Sequence, residues 1–461
     1  MAPGLGGATQ RVYSKALPSR EGCGREATFH SSLPPMSARL SRFLFSALLA
    51  SALTVGARPA LTAEPAPAWT QFRGPAQGHA DNADVPLTWS ETEHLKWKTP
   101  LPGEGWSSPV VAGNQIWMTT ALEDGRSLHA LCCNLQTGKL VIDVEVFKNE
   151  APPPKHDRNS YASPTPIIEG DRVFVHFGPM GTACLSASDG RKVWENRDLK
   201  IDTQNGPGGS PALYKDKLLI DCDGMDFQYG VALDKYTGKI VWKTDRSAIP
   251  KLAQRPADRR KAYGTPMILN VEGRSEALST GAERLYSTDP ETGKELWSVD
   301  YPGFSNVPLP VTDGKLVFVC TGFGRPEIWG IRLAGAHDDV TSSRVVWKQP
   351  AGAPDQSTPV VVGDRIYMIT AGSILSCLNS STGQIVWKER IGGDYAASPL
   401  AADGRIYLFS AIGGKTTVIA PGDQFKVLAT NILDDGCMAS PAVVGKAMIV
   451  RTKKNLYRLE N

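Results

Sequence analysis

A short phrase returns roughly every fifty residues, and it constrains the fold of this chain more than any other feature. Its cleanest copy, residues 232–242, reads A-L-D-K-Y-T-G-K-I-V-W. Copies aligned on the glycine occupy 184–194, 287–297 and 377–387. Residues 132–142 have lost the tryptophan, and 343–347 keep only the second half. Such a period belongs to propellers, solenoids and arrays, whose units cannot bury an apolar face alone.

Each position of the phrase has a physical reading. The first residue is small (Cys132, Cys184, Ala232, Ser287 or Cys377), as a tight buried slot requires. Two residues on stands Asn134, Ser186, Asp234, Asp289 or Asn379, whose side chains bond their own backbone and start turns. The glycine (138, 190, 238, 293 or 383) supplies the positive φ of a tight hairpin. A run rich in Val, Ile and Leu then leads to the tryptophan. The phrase is strand, turn, strand.

Upstream of each copy lies a second hairpin. Its first strand opens on Ser or Thr before proline: Ser108-Pro109, Thr165-Pro166, Ser210-Pro211, Thr265-Pro266, Thr358-Pro359, Ser398-Pro399 and Ser440-Pro441, with Pro310 after Leu309 in the same place. Proline is tolerated at the first residue of a strand. Each unit is thus four short antiparallel strands, the size of one propeller blade. Eight starts give eight blades. The eighth stops at Asn461 without a fourth strand, and residues 93–100 (E-H-L-K-W-K-T-P) supply one. The predicted fold is all-β: an eight-bladed β-propeller of four-stranded antiparallel blades, the last closed by an N-terminal strand. Closure removes sheet edges that would template aggregation. The chain divides into an N-terminal extension with a secretion signal (1–63), a lead-in (64–92) and the propeller (93–461).

On these residues the chain resembles the pyrroloquinoline-quinone-like (PQQ-like) β-propeller repeat proteins. That superfamily holds the quinoprotein alcohol dehydrogenases and the propeller lipoprotein of the outer-membrane barrel-assembly machinery. The phrase at 232–242 looks like its tryptophan-docking motif. The resemblance implies that Trp97, Trp194, Trp242, Trp297, Trp347 and Trp387 pack between adjacent blades. It covers about 93–461 and speaks for fold, because the superfamily contains both enzymes and scaffolds.

Residues 36–63 resemble a secretion signal. Arg39 and Arg42 precede an apolar stretch at 43–57, and 61–63 (L-T-A) offers a small-residue cleavage site. The apolar run falls short of the roughly 20 residues that span a bilayer, so no transmembrane span is expected in the mature chain. Seven of the 50 Lys and Arg and two of the 47 acids precede Glu64, leaving 43 bases against 45 acids, formally −2. That balance does not describe a nucleic-acid groove. Seven cysteines follow Cys23. Cys132, Cys184 and Cys377 share one repeat position, and Cys222 and Cys320 share another, which argues for packing.

The reaction centre of a quinoprotein is hard to place in this sequence. The resemblance implies a disulfide between adjacent cysteines lying against the quinone, and Cys132-Cys133 are adjacent. Strand alternation, however, points them to opposite faces. A quinone site of that kind also needs calcium held by oxygen ligands and an aspartate as general base. No blade carries a dense group of Asp, Glu and Asn on its inner loops, and Asp81, Asn82 and Asp84 lie outside the repeats. The histidines after the leader (His79, His94, His129, His156, His176 and His337) are scattered, with no pair at metal-ligand spacing. No nucleophile elbow or phosphate-cradling glycine loop occurs.

The loops entering the first strands ring one mouth of a propeller channel. They contribute Trp106, Arg158, Asn159, Tyr161, Asn205, Tyr263, Asn306, Gln356 and Tyr395. Aromatic rings mixed with amides suit sugars and peptides. Two of these loops are long. Residues 151–160 are proline-rich, and 247–262 carry Lys251, Arg255, Arg259, Arg260 and Lys261 against Asp258. Phe72-Arg73-Gly74-Pro75, in the lead-in, is expected to pack across one face of the ring. The function expected is an exported (periplasmic or extracellular), non-catalytic binding or scaffolding propeller. Its partner at the mouth would be a protein or carbohydrate, with no catalytic residue and no resident metal or cofactor. Two alternatives stand beside it. One is a PQQ- and calcium-dependent alcohol or sugar dehydrogenase with a diverged site. The other is an outer-membrane assembly-factor-like scaffold, which expects a lipidated cysteine; none lies between Cys23 and Cys132.

Overall fold

A computed structural model describes residues 68–246, 252–350 and 352–461. The expected secretion signal, Cys23 and Lys251 lie outside the described residues. Eight sheets follow one another around a ring. Blade 1 is built from Val110–Ala112, Gln115–Leu122, Ser127–Asn134 and Leu140–Lys148. The first strands of blades 2 to 7 are Ile167–Glu169, Ala212–Tyr214, Met267–Val271, Val311–Thr312, Val360–Val362 and Leu400–Ala402. Blade 8 comprises Ala442–Val444, Ala447–Arg451 and Asn455–Leu459, and Leu95–Pro100 completes it. The register pairs Leu95 with Leu459, Trp97 with Arg458 and Pro100 with Asn455. The first and last strands of the propeller repeat region therefore share one sheet.

Position in the ring dictates the burial pattern. Second strands such as Leu316–Cys320 and Arg365–Ile369 lie between two neighbouring blades and are almost wholly buried. They read as continuous apolar runs. Fourth strands such as Ile385–Arg390 form the rim and are largely exposed.

Three blades depart from the four-stranded antiparallel plan. Ala68–Trp69 adds to the inner edge of blade 1, and His79–Ala80 adds parallel to that of blade 7. Asp338–Asp339 adds parallel to the outer edge of blade 4. The first two belong to the lead-in, which crosses one face of the ring. Arg73 is buried at its centre and donates to the carbonyls of Gln77, Pro359 and Pro399. Gly74 has φ +65°, and a Cβ there would lie 2.6 Å from the Trp69 ring. Only glycine allows that crossing.

The Ser/Thr-Pro starts do more than open strands. The amide of Ser108 donates to the Thr165 hydroxyl at 3.0 Å, Thr165 to Ser210 at 2.9 Å, and Ser210 to Thr265 at 2.9 Å. Leu309 donates to Thr358, Thr358 to Ser398 and Ser398 to Ser440, each at 3.0 Å. Each hydroxyl thus satisfies a buried N–H of the preceding blade. Leu309 has no hydroxyl to offer Thr265, so the relay is interrupted between blades 4 and 5, and among the described residues no Ser440-to-Ser108 bond joins blades 8 and 1.

The tryptophans form the outer seams. Trp97 donates through Nε1 to the Leu135 carbonyl, Trp194 to Lys235, Trp242 to Pro290 and Trp347 to Ser380, each in the turn of the next blade. A Cβ on Gly138, Gly238, Gly293 or Gly383 would lie 2.3–2.5 Å from the docked ring. Trp387 donates to Gly422 and packs on Phe425. Ile142 fills the docking place in blade 1, against Gly190. Blade 7 has Ala429 there, and Trp89 from the lead-in stacks on Tyr407 and Phe409 instead. Trp297 departs from the pattern: its Nε1 donates to Glu276 of its own blade at 2.7 Å.

Seven buried cysteines carry free thiols. Cys133 packs in the core joining blades 1, 7 and 8, and Cys132 in the core joining blades 1 and 2. The neighbours face opposite ways, as the strand alternation requires. Burial pushes their thiols up, Cys132 to about 12 and Cys133 to about 11. His176 is a buried core residue bonded to Thr182 at 2.8 Å, and burial lowers it to about 4. Among the described residues no helix is long and apolar enough to cross a membrane.

Candidate functional site

A cavity of about 550 Å³ opens at the mouth. Hydroxyls of the Ser/Thr-Pro ring line it (Ser108, Thr165, Ser210, Thr265, Ser398 and Ser440), and Phe72 of the lead-in reaches it from the crossing segment. The entry loops supply the rest. The structure brings Trp106, Arg158, Asn159, Asn205, Tyr263 and Gln356 together on this wall.

Tyr161, Asn306 and Tyr395 are set elsewhere, contrary to the expectation that they line the mouth. Tyr161 belongs to the core between blades 1 and 2, where its ring closes over Gly125. Asn306 is fully buried and donates to the Tyr301 hydroxyl and the Cys320 carbonyl. Tyr395 is buried between blades 6 and 7, with its hydroxyl donating to Gly392. Each anchors an entry loop rather than decorating it.

The lining residues are not equally free. Asn159 donates to the carbonyls of Asn205 and Pro207 at 2.6 and 2.9 Å, and its oxygen accepts from Ser160 and Ser163. That amide is consumed in holding two loops together. Trp106 donates through Nε1 to the Arg158 carbonyl at 3.1 Å, which leaves its ring face on the cavity. Arg158 makes a bidentate pair with Asp394 at 2.7 and 2.8 Å. This tie joins the loop entering blade 2 to the loop entering blade 7, and Asp394 raises the Arg158 guanidinium above its ordinary value.

Several lining residues carry no repeat signature. His156, Gln204, Asp258, Arg259, Lys261, Phe304, Phe323, Asp355 and Met438 complete the wall. The sequence marked the two loops that bear His156 and the Arg259–Lys261 pair by their length. Phe304 and Phe323 meet edge to face at 5.8 Å across an isolated β-bridge. Phe323 is 56% exposed. Glycines at 303, 322 and 324 flank these rings, and that turn context was their only trace in the sequence.

Beneath the basic loop lies a buried ionic group. Arg246 pairs with Asp221 at 2.6 Å and with Asp223 at 2.9 Å, all three almost fully buried. Ser279 donates to Asp221 at 2.8 Å, and the guanidinium lies 4.6 Å from the Tyr286 ring centre. The Asp223 carbonyl accepts from Ala262, between Lys261 and Tyr263. The group therefore holds the base of the mouth loop. Two carboxylates share one guanidinium, so burial raises both, Asp223 to about 7.

An eight-bladed ring with tryptophan-docked seams is a PQQ-like propeller. A family model described as outer membrane protein assembly factor BamB matches residues 87–206, 228–336 and 335–434, and the chain belongs to that family. Among curated proteins, the 1-butanol dehydrogenase (quinone) of Thauera butanivorans is 26% identical over 231 residues, 44% of this chain and 33% of that protein. The quinoprotein ethanol dehydrogenase of Pseudomonas aeruginosa is 26% identical over 214 residues, 45% and 32% of the two chains. The chain spans about a third of the length of these curated relatives. Among solved structures, BamB from Moraxella catarrhalis superposes with a TM-score of 0.55 at 12% identity, covering 80% of this chain and 99% of that one. A quinohemoprotein alcohol dehydrogenase from Pseudomonas putida gives 0.55 at 14%, covering 82% and 80%. At these identities the superpositions establish the fold.

The donor set at the mouth does not fit a calcium-bound quinone. The two lining carboxylates, Asp258 and Asp355, stand on the loops entering blades 4 and 6. Among the described residues no three His, Cys, Asp or Glu converge to hold a metal ion. The adjacent cysteines face different cores.

Proposed function

We propose that this chain is an exported binding propeller that takes a ligand or protein partner at the mouth and carries no reaction centre of its own. One observation carries the reading. The cavity presents aromatic faces, amides and cations on rigid entry loops, while its carboxylates stay apart. Sites of this kind are concave, largely pre-formed, and contain a few placed polar groups. The family model that matches most of the chain is described as an outer membrane protein assembly factor, and that description supports a scaffold reading. Export rests on residues 36–63 and on the family's description as an outer-membrane assembly factor.

The test pairs Trp106→Ala with Tyr263→Ala. Binding to a panel of sugars and peptides, and capture of envelope partners, should weaken at least about tenfold with the melting temperature preserved, as expected when central aromatic anchors are lost. Unchanged binding in the double variant overturns the mouth as the site. Adding quinone and calcium to the purified protein addresses the dehydrogenase alternative. A stoichiometric bound chromophore with dye-linked alcohol oxidation would replace the binding reading.

A further inference from the structure

We propose that the part of the mouth built by the loops entering blades 3, 4 and 5 is a subsite for an acidic sugar. A hexuronate ring, free or at the end of an acidic polysaccharide, would place its carboxylate between Lys261 and Arg259. The inference rests on the mouth being a binding site and names its ligand class.

Lys261 is the strongest pointer. It is only 2% exposed, yet no carboxylate among the described residues lies within ion-pair distance of it. Its ammonium donates to the Asp258 carbonyl and, at 3.5 Å, to Gln204 Oε1. Neither acceptor atom carries a full charge, and the Asp258 carboxylate, on the same wall, acts on the ammonium only from beyond ion-pair distance. A buried cation is ordinarily paired, because desolvation disfavours its charged form. Here that desolvation lowers the ammonium below its ordinary value. The Asp258 charge offsets this only in part, and an anion in the cavity would supply the direct ion pair that Asp258 does not make.

Arg259, two residues earlier, lines the same cavity and also lacks a carboxylate partner among the described residues. Its guanidinium lies 5.6 Å from the Phe304 ring centre. The planar fork matches a carboxylate through two parallel hydrogen bonds. Arg158 does not compete for the ligand, because Asp394 already holds both its terminal nitrogens. Behind the cavity, buried Arg73 bonds only carbonyl oxygens and adds an uncompensated positive charge beside Phe72. Low-dielectric walls focus such a field on the cavity.

The remaining chemistry favours a polyhydroxylated ring over a bare anion. Tyr263, Phe304 and Phe323 offer ring faces on the side where the two cations stand. Asn205 lies beside them, and Asp355 and Gln356 stand on the loop entering blade 6 to accept from sugar hydroxyls. Isolated inorganic anions would use the cations and leave these groups idle.

Calorimetric titration of the full chain with glucuronate, glucose and a galacturonate trimer tests the assignment at low and high salt. Glucuronate should bind at least about tenfold more tightly than glucose, with the advantage shrinking as salt rises. Arg259→Ala and Lys261→Met should each bring glucuronate toward the glucose level. Arg259 is exposed, so its variant reports even if the Lys261 variant fails to fold; Lys261→Arg should retain the preference. A trimer that binds more tightly than the monomer identifies a polysaccharide end, and equal binding identifies the free sugar. Glucose bound as tightly as glucuronate, or a preference that survives both substitutions, overturns the acidic assignment and leaves the mouth reading standing. So does the absence of any sugar binding while the Trp106/Tyr263 double variant still loses its partner. A partner retained by that double variant would instead count against the mouth itself.

Discussion

The seam between blades 5 and 6 and the seam between blades 4 and 5 solve one packing problem differently. At the first, Trp347 donates to the Ser380 carbonyl and lies on Gly383, and Phe318 stacks on its ring at 5.7 Å. At the second, blade 5 has replaced the tight glycine turn by a longer connection between Ile328–Arg332 and Val345–Gln349. Trp297 then has no turn glycine to lie on. It is fully buried and donates to Glu276, whose carboxylate also accepts from Ser287 and pairs with Arg274. The longer connection returns as Asp338–Asp339 and pairs along the outer edge of blade 4. The hydroxyl relay is broken at the same seam, where Leu309 stands. At its mouth end this seam carries the Phe304–Phe323 bridge. The repeat is thus a local device that other chemistry can replace, and it has been replaced beside the aromatic wall of the cavity.

The sharpest way to break this contrast is to substitute both tryptophans by phenylalanine. Trp347→Phe loses one hydrogen bond to a carbonyl and some ring area, at a cost of about 1–1.5 kcal/mol. Trp297→Phe removes a donor from a fully buried carboxylate, and bonds to charged groups contribute about 1.5–3 kcal/mol. Urea denaturation should therefore find Trp297→Phe the costlier of the two. Equal losses would mean that the Glu276 contact merely fills space. A smaller effect is expected from Thr358→Val, which leaves the buried Leu309 amide without its acceptor and costs about 1 kcal/mol. Hydrogen exchange should show faster opening at Leu309. Protection unchanged there would remove the relay as a source of ring stability.

The architecture was legible because its signals repeat. Glycine at the turn and tryptophan four residues on recur where the seams form, and the missing strand of blade 8 had one candidate, around Trp97. What repeats less is harder to read. The sequence showed the Ser and Thr before each proline, but their acceptor role depends on the neighbouring blade lying within 3 Å, which no local pattern encodes. The Arg73 plug bonds backbone carbonyls, which every residue offers, so its partners left no trace. Tyr161, Asn306 and Tyr395 sit in irregular loops, where no two-residue alternation says which way a side chain turns. Phe304 and Phe323 belong to the seam where the repeat decays, and the repeat could not point to them.

A pH-dependent contrast is expected at the ionic group between blades 3 and 4, where two buried carboxylates share one guanidinium. Burial is the first cause that raises Asp223 to about 7. Arg246 opposes it and the charge of Asp221 adds to it. An unfolded aspartate titrates near about 3.9. Between these values the folded chain holds a proton that the unfolded chain has released, so stability falls as pH rises from about 4 to about 7 and levels off above. Asp223→Asn keeps the shape and removes the titration. The melting temperature of the variant relative to the wild type should therefore climb from pH 5 to pH 7 and stay constant beyond. Because Ala262 donates to the Asp223 carbonyl, its amide should become less protected over the same window in the wild type alone. A difference between the two proteins that does not change with pH would mean that the buried pair remains charged throughout, with Arg246 neutralising both carboxylates, and that this seam is held as rigidly as its neighbours.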